Sequence, residues 1–238
     1  MPAAGECEVW WARPDTARPE LASLLDDGEQ ARYQRFVRPE DAQRYLAARA
    51  LSRIVLATHL GVAPTEVKLA ATCTVCGGAH GKPRVLGEPG VELSLSHSGG
   101  RVAVAVSSGD AVGVDVERLR PMANVEALAD RVLAPAERPA LAALPAAERP
   151  AALLGYWTRK EALLKATGDG LNVPMAELTV SPPNQPARLL TWSNARAREL
   201  PAWLHQLDPG TGHVAHLAVL AGASPRVVER DGDPLLVG

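Results

Sequence analysis

Two helix-like stretches, each bracketed by its own stop signals, constrain this chain more than any other feature. Pro39 to Leu60 opens on a proline suited to the first helical position and closes at Gly61. Tyr45, Leu46, Ile54, Leu56 and Leu60 supply its apolar side. Glu148 to Thr167 carries Leu153, Leu154, Trp157, Leu163 and Leu164 and stops at Gly168-Asp169-Gly170. After the first helix come alternating segments at Val91 to Ser98, Arg101 to Val106 and Ala111 to Glu117, which read as an antiparallel meander. After the second come Leu178 to Ser181, Arg188 to Trp192, Ala202 to Leu207 and His213 to Leu220, which read as a second sheet. The same order twice predicts a pseudo-duplicated α+β protein with a cleft between its halves, although no residue-level repeat accompanies it. The expected divisions are 1–110, 111–224 and a loosely attached tail, 225–238.

Shorter elements fill the gaps. Val9-Trp10-Trp11 reads as a first strand and Val67 to Ala71 as another. Pro19 to Phe36 has Leu21, Leu24 and Leu25 at helical spacing, with Gly28 as an interruption. Val125 to Leu133 and Ala136 to Leu144 read as short helices in a proline-punctuated region.

With 238 residues, 47% of them hydrophobic, the chain can bury a real core. A net charge of -2 gives no reason to expect a nucleic-acid partner. Neither a membrane-length apolar run nor a secretory leader is visible, so the expectation is a cytoplasmic monomer. Of 25 basic residues, 21 are arginine and only four are lysine: Lys68, Lys82, Lys160 and Lys165. Three of them lie in Gly81-Lys82-Pro83 and the helix of Lys160 and Lys165, where either a compact ammonium is specifically needed or ordinary surface lysines fall by chance. Arg32, Arg35, Arg44, Arg49 and Arg53 lie along the first helical region, either solvating it or gripping phosphate.

The chemistry-bearing residues cluster in a few motifs. Asp115 and Glu117 are two apart, so a strand points both to one face. Glu161 and Lys165 share a helix face at i, i+4. If that strand meets that helix, three carboxylates converge with lysines beside them. An all-oxygen set favours Mg²⁺, or Mn²⁺, over zinc, and Mg²⁺ usually takes one or two carboxylates plus water and substrate phosphate. Cys73, Cys76 and His80 resemble the start of a zinc knuckle, but a closed site needs a fourth ligand and a plain turn is the expectation. Ser96 and Ser98 flank His97, yet no Gly-x-Ser-x-Gly elbow accompanies them, which weakens a hydrolase reading. A protein that binds a nucleotide or coenzyme A without transferring anything is the other alternative.

In order, Phe36 to Arg44, Gly81-Lys82-Pro83, Leu95-Ser96-His97-Ser98, Gly113-Val114-Asp115-Val116-Glu117 and Trp157 to Lys165 with Gly168-Asp169-Gly170-Leu171 form a set that resembles the 4′-phosphopantetheinyl transferases of the surfactin-synthetase type. The resemblance implies an α+β pseudo-dimer of two similar halves in one chain, each an antiparallel sheet packed with a long helix, and an active-site cleft between them. It implies transfer of the phosphopantetheine arm of coenzyme A to a serine of an apo carrier protein domain of a polyketide, nonribosomal peptide or fatty acid synthase, releasing 3′,5′-ADP. On the matching positions, Asp115, Glu117 and Glu161 would hold Mg²⁺. Arg32, Arg44, Lys82, Ser96, His97, Lys160 and Lys165 would contact coenzyme A. Glu161 would be general base and Lys165 would steady the leaving phosphate. Met122, Val125, Leu128 and Leu133, on Pro121 to Leu133, read equally well as a docking face for the carrier or as part of the core.

Overall fold

A computed structural model describes residues 1–72, 77–78, 81–193 and 201–237. The chain folds into two compact units, residues 1–109 with 226–238, and residues 110–225. Both mix α and β structure. None of the helices among the described residues is long and apolar enough to cross a membrane. Cys73, Cys76 and His80 lie outside the described residues.

The first unit is built on a six-stranded sheet. Its members are β1 (Glu6–Ala12), β2 (Leu69–Ala70), β3 (Arg84–Val85), β4 (Val91–Ser98), β5 (Arg101–Ser108) and a strand from the far end of the chain, β11 (Arg226–Asp231). Their order is β11-β1-β5-β4-β3-β2. Gly99 and Gly100 turn the β4–β5 hairpin, with Gly99 at φ +55°, a conformation that costs glycine little. Helix α2 (Pro39–Leu60) has the bounds its sequence signals predict, and Gly61 closes it in the left-handed region. The helix buries Leu51, Val55 and Leu56 against Leu93, Val102, Val104 and Val106, the last three being one face of β5.

Gly28 does not interrupt its segment. It lies inside α1 (Asp27–Gln34), and the break falls earlier, where a 3₁₀ turn at Pro19–Leu24 ends. Asp26 caps α1 by accepting from the Glu29 N–H at 2.9 Å, and Glu29 accepts from the Asp26 N–H at 3.2 Å. Asp-x-x-Glu was the legible signal here and outranked the lone glycine. Glu29 also holds Arg53 at 2.6 Å. That pair is buried, so Arg53 is a core cation of α2 rather than a surface charge.

The expected tail is a structural strand. Segment β11 pairs in parallel with β1, from Glu6 opposite Arg226 to Trp11 opposite Asp231. Beyond it, Asp233 accepts from the Arg13 N–H and Nε at 2.7 Å each, and Leu236 of α6 (Asp233–Leu236) is buried in the α2 core. Buried Glu8 binds the same edge, accepting from Arg230 at 2.8 Å and Trp10 at 2.9 Å, with His59 at 3.0 Å. Burial alone would raise the Glu8 pKa; those three hydrogen bonds outweigh it and hold the carboxyl below its ordinary value. Arg226, Glu229, Arg230 and Asp231 disguise the segment because an edge strand is free to carry charge.

The second unit contains β6 (Ala111–Arg118), α3 (Val125–Val132), α4 (Arg138–Ala142), α5 (Arg149–Thr167), β7 (Leu178–Val180), β8 (Leu189–Trp192), β9 (Ala202–Gln206) and β10 (His213–Leu220). The expected meander breaks at β6, which pairs with β10 in a sheet ordered β6-β10-β9. The expected second sheet also divides, because β7 and β8 form a separate hairpin. Helix α5 is the centre of this unit. It buries side chains around much of its circumference, from Leu153 and Tyr156 to Leu163 and Leu164. Leu178, Val180, Trp192, Leu204 and Ala218 complete that core.

Removing residues 226–238 should strip β1 of its outer neighbour and leave Glu8 without Arg230. A thermal midpoint lowered by at least about 5 °C is expected, read from tryptophan fluorescence at Trp10 and Trp11. An unchanged midpoint would restore the view of a dispensable tail.

Candidate active site

The sheet of the second unit meets α5 at a glycine. A methyl group on Gly113 would lie 2.0 Å from the Ala162 carbonyl oxygen and 2.4 Å from the Ala166 nitrogen. Backbone therefore rests on backbone at this crossing. Alternation along β6 puts Gly113, Asp115 and Glu117 on the face that meets the helix. On α5, Glu161 and Lys165 are the immediate neighbours of Ala162 and Ala166, the residues of the crossing. The spacing Gly-x-Asp-x-Glu is thus one device: the glycine admits the helix, and the acids beyond it meet the helix's own charged residues.

Lys165 Nζ donates to Asp115 Oδ1 at 2.6 Å and to the Val114 carbonyl at 3.1 Å. Asp115 is buried, whereas the Lys165 side chain is 28% exposed. Glu161, 8% exposed, has its pKa raised to about 7. Burial is the largest cause, Asp115 adds to it, Lys165 opposes it and Glu117 adds again. Glu161 therefore feels both acids of β6. Their all-oxygen chemistry and accumulated negative charge suit a hard divalent cation. Among the described residues, however, no three acidic, histidine or cysteine side chains stand together as a ready-made metal cage. Asp115 Oδ1 faces an ammonium, so a cation at this carboxylate either shares it with Lys165 or displaces Lys165.

Lys160 is corrected by the structure. Its ammonium is fully buried and donates to Glu137 Oε2, to the Val132 carbonyl at 2.7 Å and to the Met175 carbonyl at 3.2 Å. An ammonium has three N–H bonds, and all three are used inside the second unit. As placed, Lys160 offers nothing to a coenzyme A phosphate. Glu137 is equally occupied, accepting from the N–H groups of Ala134 and Val180 at 2.7 Å each. The pair is a fully hydrogen-bonded ionic clasp.

Of the docking face expected on Pro121 to Leu133, Leu133 is buried and unavailable. Met122, Val125 and Leu128 are half-buried, packing against the core of the second unit on one side.

Two further residues of α5 and β10 escaped the sequence reading. Arg159 is completely buried, and among the described residues it has no carboxylate partner. Burial pulls its pKa down to about 10. Its Nη atoms donate to the carbonyls of Ser181 at 2.6 Å, Pro182 at 2.9 Å, Pro183 at 3.3 Å and Gln185 at 2.9 Å, and to Ser181 Oγ at 2.9 Å. Its Nε meets His216 Nε2 at 3.2 Å. Burial, and then the Arg159 charge, push the His216 pKa down to about 3, so the ring is neutral. The legible signal was the all-round apolar character of Ala151 to Trp157, which marks α5 as central and places charges within it in the core.

The other expected ligands belong to the first unit. Arg44 of α2 donates to the Gly99 carbonyl at 3.3 Å and pairs with Asp41, so it sits at the turn beyond Ser96-His97-Ser98. Arg32 is exposed and lies over the Tyr45 ring at 5.4 Å, with Arg49 over the same ring at 5.6 Å. Ser96 and His97 are neighbours on β4, with Ser96 buried and His97 exposed, as alternation requires. Lys82 pairs with Glu92 at 2.5 Å, and burial lowers its pKa more than Glu92 raises it. Four residues of strand, about 13 Å, separate Glu92 from Ser96. Arg44 and the Ser-His-Ser end of β4 are thus brought together, while Lys82 serves the other end.

Residues 10–109 match the 4′-phosphopantetheinyl transferase N-terminal model, and residues 111–218 match the 4′-phosphopantetheinyl transferase superfamily model. The chain is 37% identical over 213 residues to the 4′-phosphopantetheinyl transferase HetI of Nostoc sp., covering 87% of this chain and 83% of that one. It is 31% identical over 242 residues to a phosphopantetheinyl transferase of Thraustochytrium sp., covering 92% and 80%. The Sfp transferase of Bacillus subtilis is 27% identical over 158 residues, covering 66% of each chain.

Two outcomes test this geometry. Gly113→Ala should lose about 1–3 kcal/mol or more of stability, because the new methyl meets backbone that cannot rotate aside; urea denaturation measures it. Glu161 has its folded pKa raised above the unfolded value, so its effect on stability worsens as pH climbs from the ordinary carboxylate range to about 7. Glu161→Gln should therefore stabilise the metal-free protein at pH 8 by roughly 1–3 kcal/mol, with the gain vanishing below about pH 4.5. A gain independent of pH would contradict the raised pKa.

Proposed function

The chain belongs to the 4′-phosphopantetheinyl transferase family, and from that premise we propose that it moves the phosphopantetheine arm of coenzyme A onto a serine of an apo carrier protein domain, in the manner of the surfactin-synthetase type. The observation that carries the chemical reading is the meeting of Asp115, Glu161 and Lys165 across the Gly113 crossing. We take the two units to be the halves of a pseudo-dimer. The protein acts as a monomer in the cytoplasm on carriers of polyketide, nonribosomal peptide or fatty acid synthases.

In this reading, Asp115, Glu117 and Glu161 are the oxygen donors available to Mg²⁺, with Mn²⁺ as a substitute. The bound ion supplies charge neutralisation at the coenzyme A pyrophosphate. Lys165 leaves Asp115 for the phosphate that departs, where its ammonium offsets the growing negative charge. The carrier serine Oγ forms the new bond to the phosphopantetheinyl phosphorus. The pyrophosphate P–O bond breaks and its electron pair leaves with 3′,5′-ADP. The serine proton goes to the Glu161 carboxylate, directly or through water. A carboxyl with a pKa near 7 suits that task at neutral pH, and a metal on the same group would lower its basicity, which favours the water route. Arg44, His97 and Ser96 are the nucleotide-end ligands best supported by position, and Arg32 and Lys82 join them only by releasing Tyr45 and Glu92. Lys160 is left out because its donors are spent on Glu137 and two carbonyls.

The test is to mix the protein with coenzyme A, Mg²⁺ and a panel of apo carrier domains and to weigh each carrier. A gain of one phosphopantetheine group is the expected result; binding of coenzyme A without that gain would leave a carrier of the nucleotide and no transferase. Glu161→Gln should lower kcat by about 10²–10⁴ while KM for coenzyme A stays within a few-fold. Turnover like that of the unaltered protein would remove Glu161 as the base.

A further inference from the structure

Helix α5 is tied to its sheet at Lys165 and again at Thr158 and Arg159, and the second tie lies outside the candidate active site. The first is Lys165 on Asp115, 2.6 Å. Once a cation occupies Asp115 and a phosphate occupies Lys165, both members of that tie have new partners. The second tie lies nearly two turns toward the start of the helix. Arg159 Nε donates to His216 Nε2 at 3.2 Å, and Thr158 Oγ1 lies 2.8 Å from His216 Nδ1. Arginine has no acceptor, so Nε2 must be the acceptor and Nδ1 carries the hydrogen of the neutral ring. Thr158 accepts that hydrogen and passes its own to the Leu154 carbonyl at 3.0 Å. The chain of bonds is thus directional from Arg159 to the helix backbone, and all of it is buried.

His216 stands directly opposite Asp115 across the β10–β6 pair. Directly opposed residues of an antiparallel pair share a face of the sheet. Arg159 and Thr158 are two and three residues before Glu161 on α5. The second tie therefore joins the helix that carries Glu161 to the strand that flanks Asp115, and it survives the loss of the first. Arg159 is itself immobilised by the carbonyls of Ser181, Pro182, Pro183 and Gln185.

We propose that Arg159 and His216 are positioning residues that hold Glu161 at its working distance from Asp115 when the Lys165–Asp115 pair opens to admit cation and phosphate. This rests on the proposed role of Asp115 and Glu161 as ligands of a divalent ion.

Three substitutions at His216 separate the bonds. His216→Gln puts a side-chain carbonyl near the Nε2 position and keeps an acceptor for Arg159. His216→Asn keeps a donor near Nδ1 for Thr158 and offers Arg159 nothing. His216→Leu keeps neither. Mn²⁺ binding to each protein alone is followed by electron paramagnetic resonance, and kcat and KM are taken from the carrier mass assay. The glutamine variant should stay within twofold of the unaltered protein in Mn²⁺ affinity. The asparagine and leucine variants should bind Mn²⁺ at least tenfold more weakly and turn over at least tenfold more slowly, with KM for the carrier unchanged. If the leucine variant fails to fold, the contrast between glutamine and asparagine decides. Equal Mn²⁺ affinity in those two would overturn the proposal, even if thermal midpoints differ. Separation of the Mn²⁺ affinities in a protein that modifies no carrier would uphold the positioning role and sink the transferase reading. Failure of the unaltered protein to bind Mn²⁺ would overturn the positioning role.

Discussion

The second unit depends on a missing methyl group. With glycine at 113, the backbone of α5 can rest on β6, and nothing larger fits between the Ala162 carbonyl and the strand. That approach makes neighbours of Asp115 on the strand and Glu161 and Lys165 on the helix. It also desolvates them, which is why Glu161 resists ionisation until about pH 7. An apolar core alone would hold a helix on a sheet at the usual separation of side-chain layers. Contact between backbones brings charged groups into range while excluding most of the water that would screen them.

Three successive charged residues on α5 answer to three different surroundings. Arg159 is wrapped by carbonyls of the segment 181–185, Lys160 by Glu137 and two carbonyls, and Glu161 by the acids of β6 together with Lys165. Successive residues on a helix point about 100° apart, so such a run can serve three neighbours only if the helix is surrounded. Each bond set also opposes rotation of α5 about its axis. The electrostatics of the site and the rigidity of the helix thus share one origin.

Much of this was legible in the chain, for identifiable reasons. The bounds of α2 follow from Pro39 and Gly61, and the close of α5 from Gly168, because caps are local chemistry. Strand and helix periodicities put the acids of β6 and Glu161 on meeting faces, and Glu161 does feel Asp115 and Glu117, although the three do not stand together as a ready-made cage. What escaped were pairings between distant segments. Periodicity announces that β6 is a strand, but gives no sign that it leaves β5 for β10. Nor does it give a side chain's direction within a buried helix, so Lys160 read as a phosphate ligand although it points at Glu137. Met122, Val125 and Leu128 read equally well as core or docking surface, since an amphipathic helix does not announce what covers it.

The parallel pairing of β1 with β11 has a consequence for how the chain is made. Glu6 waits for Arg226, so the first sheet stays open at one edge while the whole second unit is synthesised. On a ribosome, where early segments fold first, the unit that begins the chain is the last to be finished. The second unit, encoded as one uninterrupted stretch from residue 110 to 225, has all its strands before the first has its outermost one. A chain that stalls before Arg226 therefore leaves β1 as a bare edge, open to pairing with another chain.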